Sequence, residues 1–193
     1  MRIAIFAGLV LCSLIAGVLL SLGYVFMPEP VAPTPVVLET PVVDTKEAFL
    51  NASVVDWVYS KSTRISKRMA QEIVNETYKE AVQPLLVLAL FQAESEFFPG
   101  AVSSANAIGL GQIIWKHWEK PLVAKGICKE RRDLFDIQTN IQATVFILNA
   151  LMKEHKGDIH KVLNAYLGAS NKTYKDKIVY NFVELSLQKG VRI

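Results

Sequence analysis

Cysteine is nearly absent from this chain. Cys12 and Cys128 are the two in 193 residues. One lies in an apolar N-terminal stretch and the other in the body, so the sequence offers neither a disulfide framework nor a cysteine metal motif. Histidine is equally scarce. Of three, His155 and His160 are close, but a spacing of five is not the i, i+4 spacing that puts two ligands on one helix face. No metal is expected. Charge of one sign is also in short supply, with a net charge of +3. Beyond residue 45 there are 20 basic against 15 acidic side chains, scattered without a nucleic-acid motif. That mild bias suits an anionic cell-wall polymer or membrane surface, and the scatter of the charges does not argue for nucleic acid. No stretch alternates apolar and polar residues as a half-buried strand does, and no internal repeat is evident.

Long apolar runs are present, and the first opens the chain. Residues 3–26 are apolar or small and follow Met1-Arg2. At about 1.5 Å per helical residue such a run is long enough to cross a bilayer. Arg2 precedes it and Glu29, Glu39 and Asp44 follow, which places the N-terminus in the cytoplasm and the remainder outside. The apolar core of a cleaved signal is shorter, about 7–15 residues, which favours an uncleaved signal anchor over residues 1–27. Ser21-Leu22-Gly23 is the alternative, a small-x-small cleavage site. Residues 28–44, PEPVAPTPVVLETPVVD, hold five of the eight prolines. They read as a linker, either a semi-rigid polyproline II spacer of about 3.1 Å per residue or a disordered tether.

Residues 45–193 read as one mainly helical domain. A short helix is expected around Val54–Tyr59, with Ser53 as N-cap. In Ser66–Glu80, Ile65, Met69 and Ile73 repeat at helical spacing with Ala70, Val74 and Tyr78 beside them, opposite a charged face. Asp136–Met152 is a further helix, broken by Gly157, and Ile159–Leu167 and Lys175–Gln188 complete the string. Trp115 and Trp118 are expected to flank a loop running to Gly126 and to serve packing rather than sugar binding.

The chemistry points to Leu85–Gln112. Pro84 suits the first turn of a helix, where its missing N–H is not needed. Leu85–Phe91 is apolar on all sides, as a buried central helix would be, and too short to span a bilayer. The run ends in Gln92, Glu94, Ser95 and Glu96. A helix that begins dry and ends in Glu-Ser-Glu can deliver a carboxyl group to a cleft wall from a rigid support, as a general acid requires. Glu96 lies about 200° around the helix from Glu94 and reads as a surface charge.

Glu94-Ser95-x-Phe97-x-Pro99-x-Ala101-x-Ser103, followed by Asn106-Ala107-Ile108-Gly109-Leu110-Gly111-Gln112, resembles the signature of the soluble lytic transglycosylase (SLT) domain, whose fold is lysozyme-like. The family pattern reads roughly E-S-x-F-x-P-x-A-x-S and then G-A-x-G-L-M-Q. Asn140-Ile141, Ala165-Tyr166 and Tyr174 with Ile178 resemble its later, weaker motifs. The departures are Asn106 for glycine, Gly111 for methionine, Thr144 for a glycine after Asn-Ile, and Leu167 for the asparagine after Ala-Tyr.

The resemblance implies cleavage of the β-1,4 bond between N-acetylmuramic acid and N-acetylglucosamine in peptidoglycan strands. Glu94 would be the single acid/base, Ser103, Gln112, Tyr166 and Tyr174 would contact substrate, and no cofactor or metal would be needed. Phe97 and Phe98 beside Glu94 would disfavour its charged form. Each residue also has a plainer reading: Ser103 and Gln112 as local turn formers, Tyr166 and Tyr174 as core aromatics, Ser95 as a helix end. Two other functions compete. A goose-type lysozyme would cut the same bond with water and recruit a second acid, for which Asp133 and Asp136 are the downstream candidates; helix capping suits Asp136 better. A non-catalytic wall-binding or assembly subunit would keep the fold alone. An anchored enzyme on the periplasmic side of the inner (cytoplasmic) membrane would suit local wall opening for a secretion, conjugation or phage machine.

Overall fold

A computed structural model describes residues 45–168 and 172–188, with side chains from residue 51. The expected anchor over residues 3–26 and linker over 28–44 lie outside the described residues. Among the described residues no helix is long and apolar enough to cross a membrane.

The described chain is mainly helical: α1 (Thr45–Ser60), α2 (Lys67–Glu80), α3 (Pro84–Ser95), β1 (Ala107–Ile108), β2 (Ile113–Ile114), α4 (Trp115–Ala124), a 3-10 turn (Arg131–Phe135), α5 (Ile137–Glu154), α6 (Ile159–Leu167) and α7 (Lys172–Gln188). The centre is α3. Pro84 opens it, and Val87, Leu88, Ala89, Leu90 and Phe91 are all buried, so no side of this turn faces water. It packs most extensively against α7 and also against α2; α1 covers α2 and α7, and α5 backs α2 and α6. Asn181 of α7 reaches α3, its Nδ2 donating to Gln92 Oε1 at 2.6 Å and to the Ala89 carbonyl at 3.3 Å.

The end of α3 is set by two consecutive left-handed residues, Glu96 at φ 52° and Phe97 at φ 60°. Neither is glycine, so both carry a local conformational cost. Burial of Phe97 offsets it: the ring is fully buried and meets Trp57 of α1 edge-on, 5.8 Å between centroids. The hard turn swings the chain away from α3 immediately after Glu94, leaving that side chain at a surface.

Several expected elements change. The first helix begins at Thr45, not near Val54, so Ser53 lies inside α1 and does not cap it. Good helix formers at Lys46, Glu47, Ala48 and Leu50 extend it backwards. The segment after Trp115 is a helix, not a loop. Pro121 sits inside it and removes one N–H, yet buried Leu122 holds the segment on the core and Lys125 N still donates to the Pro121 carbonyl at 3.0 Å. A two-stranded antiparallel ladder pairs Ala107 with Ile114 and Ile108 with Ile113. Two residues per strand are too few to show a period, which is why the pattern is silent there. α7 begins at Lys172, one turn earlier than the spacing suggests. Elsewhere the sequence boundaries hold. Ser66 caps α2, accepting from Met69 N at 3.2 Å, and α6 spans Ile159–Leu167.

Candidate active site

Glu94 stands in the last turn of α3, where a groove divides into two lobes. Ala93, Glu94 and Gln112 belong to both walls. The first lobe, about 710 Å³, is lined by Ser103, His117, Trp118, Tyr166 and Tyr174 with apolar neighbours. The second, about 550 Å³, is lined by Arg64, Glu96, Phe98 and the backbone around Gly100–Val102. A groove running past both sides of a carboxyl group suits a polymer more than a small molecule.

Burial pushes the Glu94 carboxyl up from 4.5 to about 7. A hydrogen bond from the Tyr174 hydroxyl and the charge of Lys177 oppose that rise without cancelling it. The C-terminal end of a helix is also a poor place for negative charge. The acid therefore keeps much of its proton near neutrality, the state a proton donor needs. Burial and the nearby Glu94 charge hold both tyrosine hydroxyls far above their ordinary value, so Tyr166 and Tyr174 act as neutral hydrogen-bonding groups.

The remaining candidates sit around this carboxyl group. The Tyr166 hydroxyl donates to the Gly111 carbonyl at 2.7 Å, which anchors the ring at the groove wall. Gln112 has φ 49° and spends its Nε2 on the Gly109 carbonyl at 3.0 Å and the Ala101 carbonyl at 3.4 Å. Among the described residues no hydrogen bond engages its Oε1, which leaves an acceptor for a ligand. Ser103 Oγ accepts from Ala107 N at 3.1 Å while Ser103 N donates to the Ala107 carbonyl at 3.0 Å. Ser103 thus closes its own loop, as a turn former does, and its side chain also lines the groove.

Ser95 does more than end the helix. Buried, it donates to the Leu110 carbonyl at 2.9 Å and ties the acid-bearing helix to the β-hairpin. Asn140, in the first turns of α5, clamps the other side of that hairpin. Its Nδ2 donates to the carbonyls of Leu134 at 2.6 Å and Ile108 at 3.2 Å, and its Oδ1 accepts from Gly111 N at 2.9 Å. Gly109, at φ 75°, lies against this amide so closely that a Cβ would overlap Asn140 Nδ2. The two downstream acids are occupied as caps. Asp136 accepts from Thr139 N at 2.9 Å, and Asp133 from Lys129 N at 2.7 Å and Glu130 N at 3.0 Å. Neither lines the groove. Glu96 is exposed as expected, 3.7 Å from Arg64, but it also forms part of the second lobe.

Other features were not legible as site residues. Trp118 lines the first lobe as well as packing on the core, whereas Trp115 only packs. Arg64 lies ahead of every motif and becomes visible only when the connection between α1 and α2 folds against the end of α3. Thr144, fully buried, fills the space above Gly111: a Cβ at 111 would overlap Thr144 Oγ1 and lie 2.8 Å from the Tyr166 hydroxyl. The two departures from the family pattern are therefore one feature, a missing side chain at 111 and a present one at 144. Leu167 lines the groove with an apolar side chain where the pattern has asparagine.

Fold and site together define a helical domain that presents a proton-holding carboxyl group, Glu94, in a two-lobed groove. The chain belongs to the transglycosylase SLT domain family, whose model matches residues 71–182. It is 33% identical over 99 residues to the membrane-bound lytic murein transglycosylase C of Yersinia pestis (strain Pestoides F), and equally to that of Yersinia pseudotuberculosis serotype O:1b (strain IP 31758). Each alignment covers 46% of this chain and 28% of the relative, so the match spans less than a third of those proteins. No solved structure matches the chain.

Proposed function

We propose that the chain is a peptidoglycan lytic transglycosylase built on a lysozyme-like domain, with Glu94 as its single acid and base. One observation carries the reading: Glu94 is raised to about 7 at the junction of a two-lobed groove, with Tyr174 hydrogen-bonded to it. A glycosidic oxygen leaves poorly until it is protonated, and the protonated Glu94 supplies that proton. As the C1–O bond breaks, the substrate's own N-acetyl oxygen shares the charge at the anomeric carbon. The Glu94 carboxylate then removes the proton of the muramyl 6-hydroxyl, whose oxygen closes on C1 to give the 1,6-anhydro sugar. The acid ends the cycle protonated, and no water is consumed. An intramolecular hydroxyl is already positioned, which favours this closure over attack by solvent. Tyr174 orients the Glu94 carboxyl, while Ser103, Gln112 and Tyr166 hold the sugar on the wall of the first lobe.

A hydrolase would need a second carboxylate. The capping roles of Asp133 and Asp136 disfavour them in that part. The apolar run over residues 3–26 supports a single-pass anchor in the cytoplasmic membrane, with the domain on the periplasmic side and residues 28–44 as its tether. Such an anchored enzyme would suit local wall opening for a secretion, conjugation or phage machine. Mass spectrometry of fragments released from purified peptidoglycan tests the reaction. Wild-type protein should release anhydro-muropeptides and Glu94→Gln should release none. Reducing-end products would make this a hydrolase. No release by a folded wild-type protein would make it a non-catalytic wall protein.

A further inference from the structure

The two lobes differ in chemistry. The first is lined by aromatic rings, hydroxyls and aliphatic groups, which suit pyranose faces and N-acetyl methyls. The second is predominantly polar and contains Arg64, the one arginine or lysine among the described residues lining either lobe. Three contacts hold the Arg64 guanidinium in place. One terminal nitrogen donates to the Ser95 carbonyl at 3.0 Å, the guanidinium lies over the Phe98 ring at 4.5 Å, and Glu96 approaches to 3.7 Å. A guanidinium carries five N–H donors, so these contacts leave donors for a ligand. Stacking on an aromatic face also fixes its plane, which lowers the ordering cost of binding a carboxylate.

The Glu96 pairing is the weak member of the set. Its side chain is 58% exposed and the separation exceeds ordinary hydrogen-bond length. Glu96 therefore acts as a displaceable counter-charge. The backbone of a peptidoglycan strand is otherwise neutral, and it is the muramyl sugars that carry carboxylates. These sit on the lactyl ether itself or on the peptide attached to it.

We propose that the second lobe is a subsite for a muramyl carboxylate, with Arg64 as its charged ligand and Glu96 as the gatekeeping charge that the incoming carboxylate displaces. The proposal rests on the glycan-cleaving reading above. Its charged ligand, Arg64, lies outside residues 71–182, the part of the chain that the family model covers. Selection would act through charge at one lobe while the chemistry proceeds at Glu94 between the lobes.

Binding to the full chain carrying Glu94→Gln, which leaves the ligand intact, tests this. Three glycan tetrasaccharides serve as probes: with peptide stems, with stems removed to expose the lactyl carboxylate, and with those carboxylates converted to neutral methylamides. The charged fragments should bind about tenfold more tightly than the neutral one, as one charge-assisted contact allows. Adding Arg64→Gln should erase that preference, and adding Glu96→Gln should enlarge it. Tighter binding of the stem-bearing fragment would assign the carboxylate to the peptide, and tighter binding of the stripped fragment would assign it to the lactyl group. If Arg64→Gln weakens all three equally, Arg64 merely braces the end of α3 and the proposal fails. If no fragment binds, the glycan-cleaving reading itself fails.

Discussion

Glu94→Gln should stabilise the folded domain at alkaline pH and leave it nearly unchanged in acid. The folded carboxyl holds its proton up to about 7, against 4.5 for an exposed glutamate. Below the lower value both folded and unfolded chains are protonated, so the wild type carries no penalty. Between the two values the unfolded chain releases the proton while the folded chain keeps it, and unfolding gains ground as pH rises. Above the higher value the folded protein must bury the charge, and the loss is complete. At about 1.4 kcal/mol per pH unit the full effect is about 3 kcal/mol, an upper bound because the groove admits water. Glutamine has nearly the same shape and never ionises, so the variant escapes this term. All other titrating groups are shared and cancel in the difference. Urea unfolding of both proteins at pH 4, 6 and 8 measures it. The variant's advantage should be near zero at pH 4, intermediate at pH 6 and about 2–3 kcal/mol at pH 8. A difference that does not change with pH would refute the claim that burial, rather than some general packing change, governs this carboxyl group.

Three further outcomes follow from the geometry around it. Gly111→Ala drives a methyl group into Thr144 and should cost about 1–3 kcal/mol, read from urea midpoints; combined with Thr144→Gly it should cost less than the sum of the two single changes, and strict additivity of the two would refute the steric pairing. Asn140→Ala removes three buried hydrogen bonds, one from the Gly111 N–H and two to the Leu134 and Ile108 carbonyls, for a loss of about 3 kcal/mol or more in the same assay. Cys128 is buried and its thiol is pushed up to about 11, with burial the main cause and Asp133 adding to it. Its alkylation by iodoacetamide at pH 8 should be slow in the folded protein and rapid in urea, and equal rates would show the thiol to be accessible.

The sequence carried α3 and its polar end at Glu94 because both depend on local signals. Pro84, the unbroken apolar run and the polar end mark α3 without any tertiary information, and Ser66 and Asp136 stand at two helix starts that they cap. What the sequence concealed depends on contact between distant residues or on elements too short to have a period. The β-hairpin is one case. Pro121 is another: its usual meaning as a breaker is overridden by the burial of Leu122 next to it. Arg64 belongs to no motif, and its place beside Glu96 follows from the left-handed turn that ends α3. The cap roles of Asp133 and Asp136 were half legible, since the spacing from Asp136 to Thr139 suits an N-cap, while the Glu130–Asp133 box serves a short 3-10 turn that periodicity does not reveal.

The exchange of bulk between positions 111 and 144 bears on how such a domain can change over generations. Where the family pattern places methionine over glycine, this chain places glycine under threonine, and the Tyr166 hydroxyl rests on the same backbone. A large residue at 111 with Thr144 retained would collide, and a small one at both positions would leave a void beneath the groove wall. A single step from this arrangement that adds bulk at 111 while Thr144 is retained is thus disfavoured. A chimera that joins the hairpin of one relative to the α5 helix of another should fail or succeed according to whether both halves descend from the same side of that barrier.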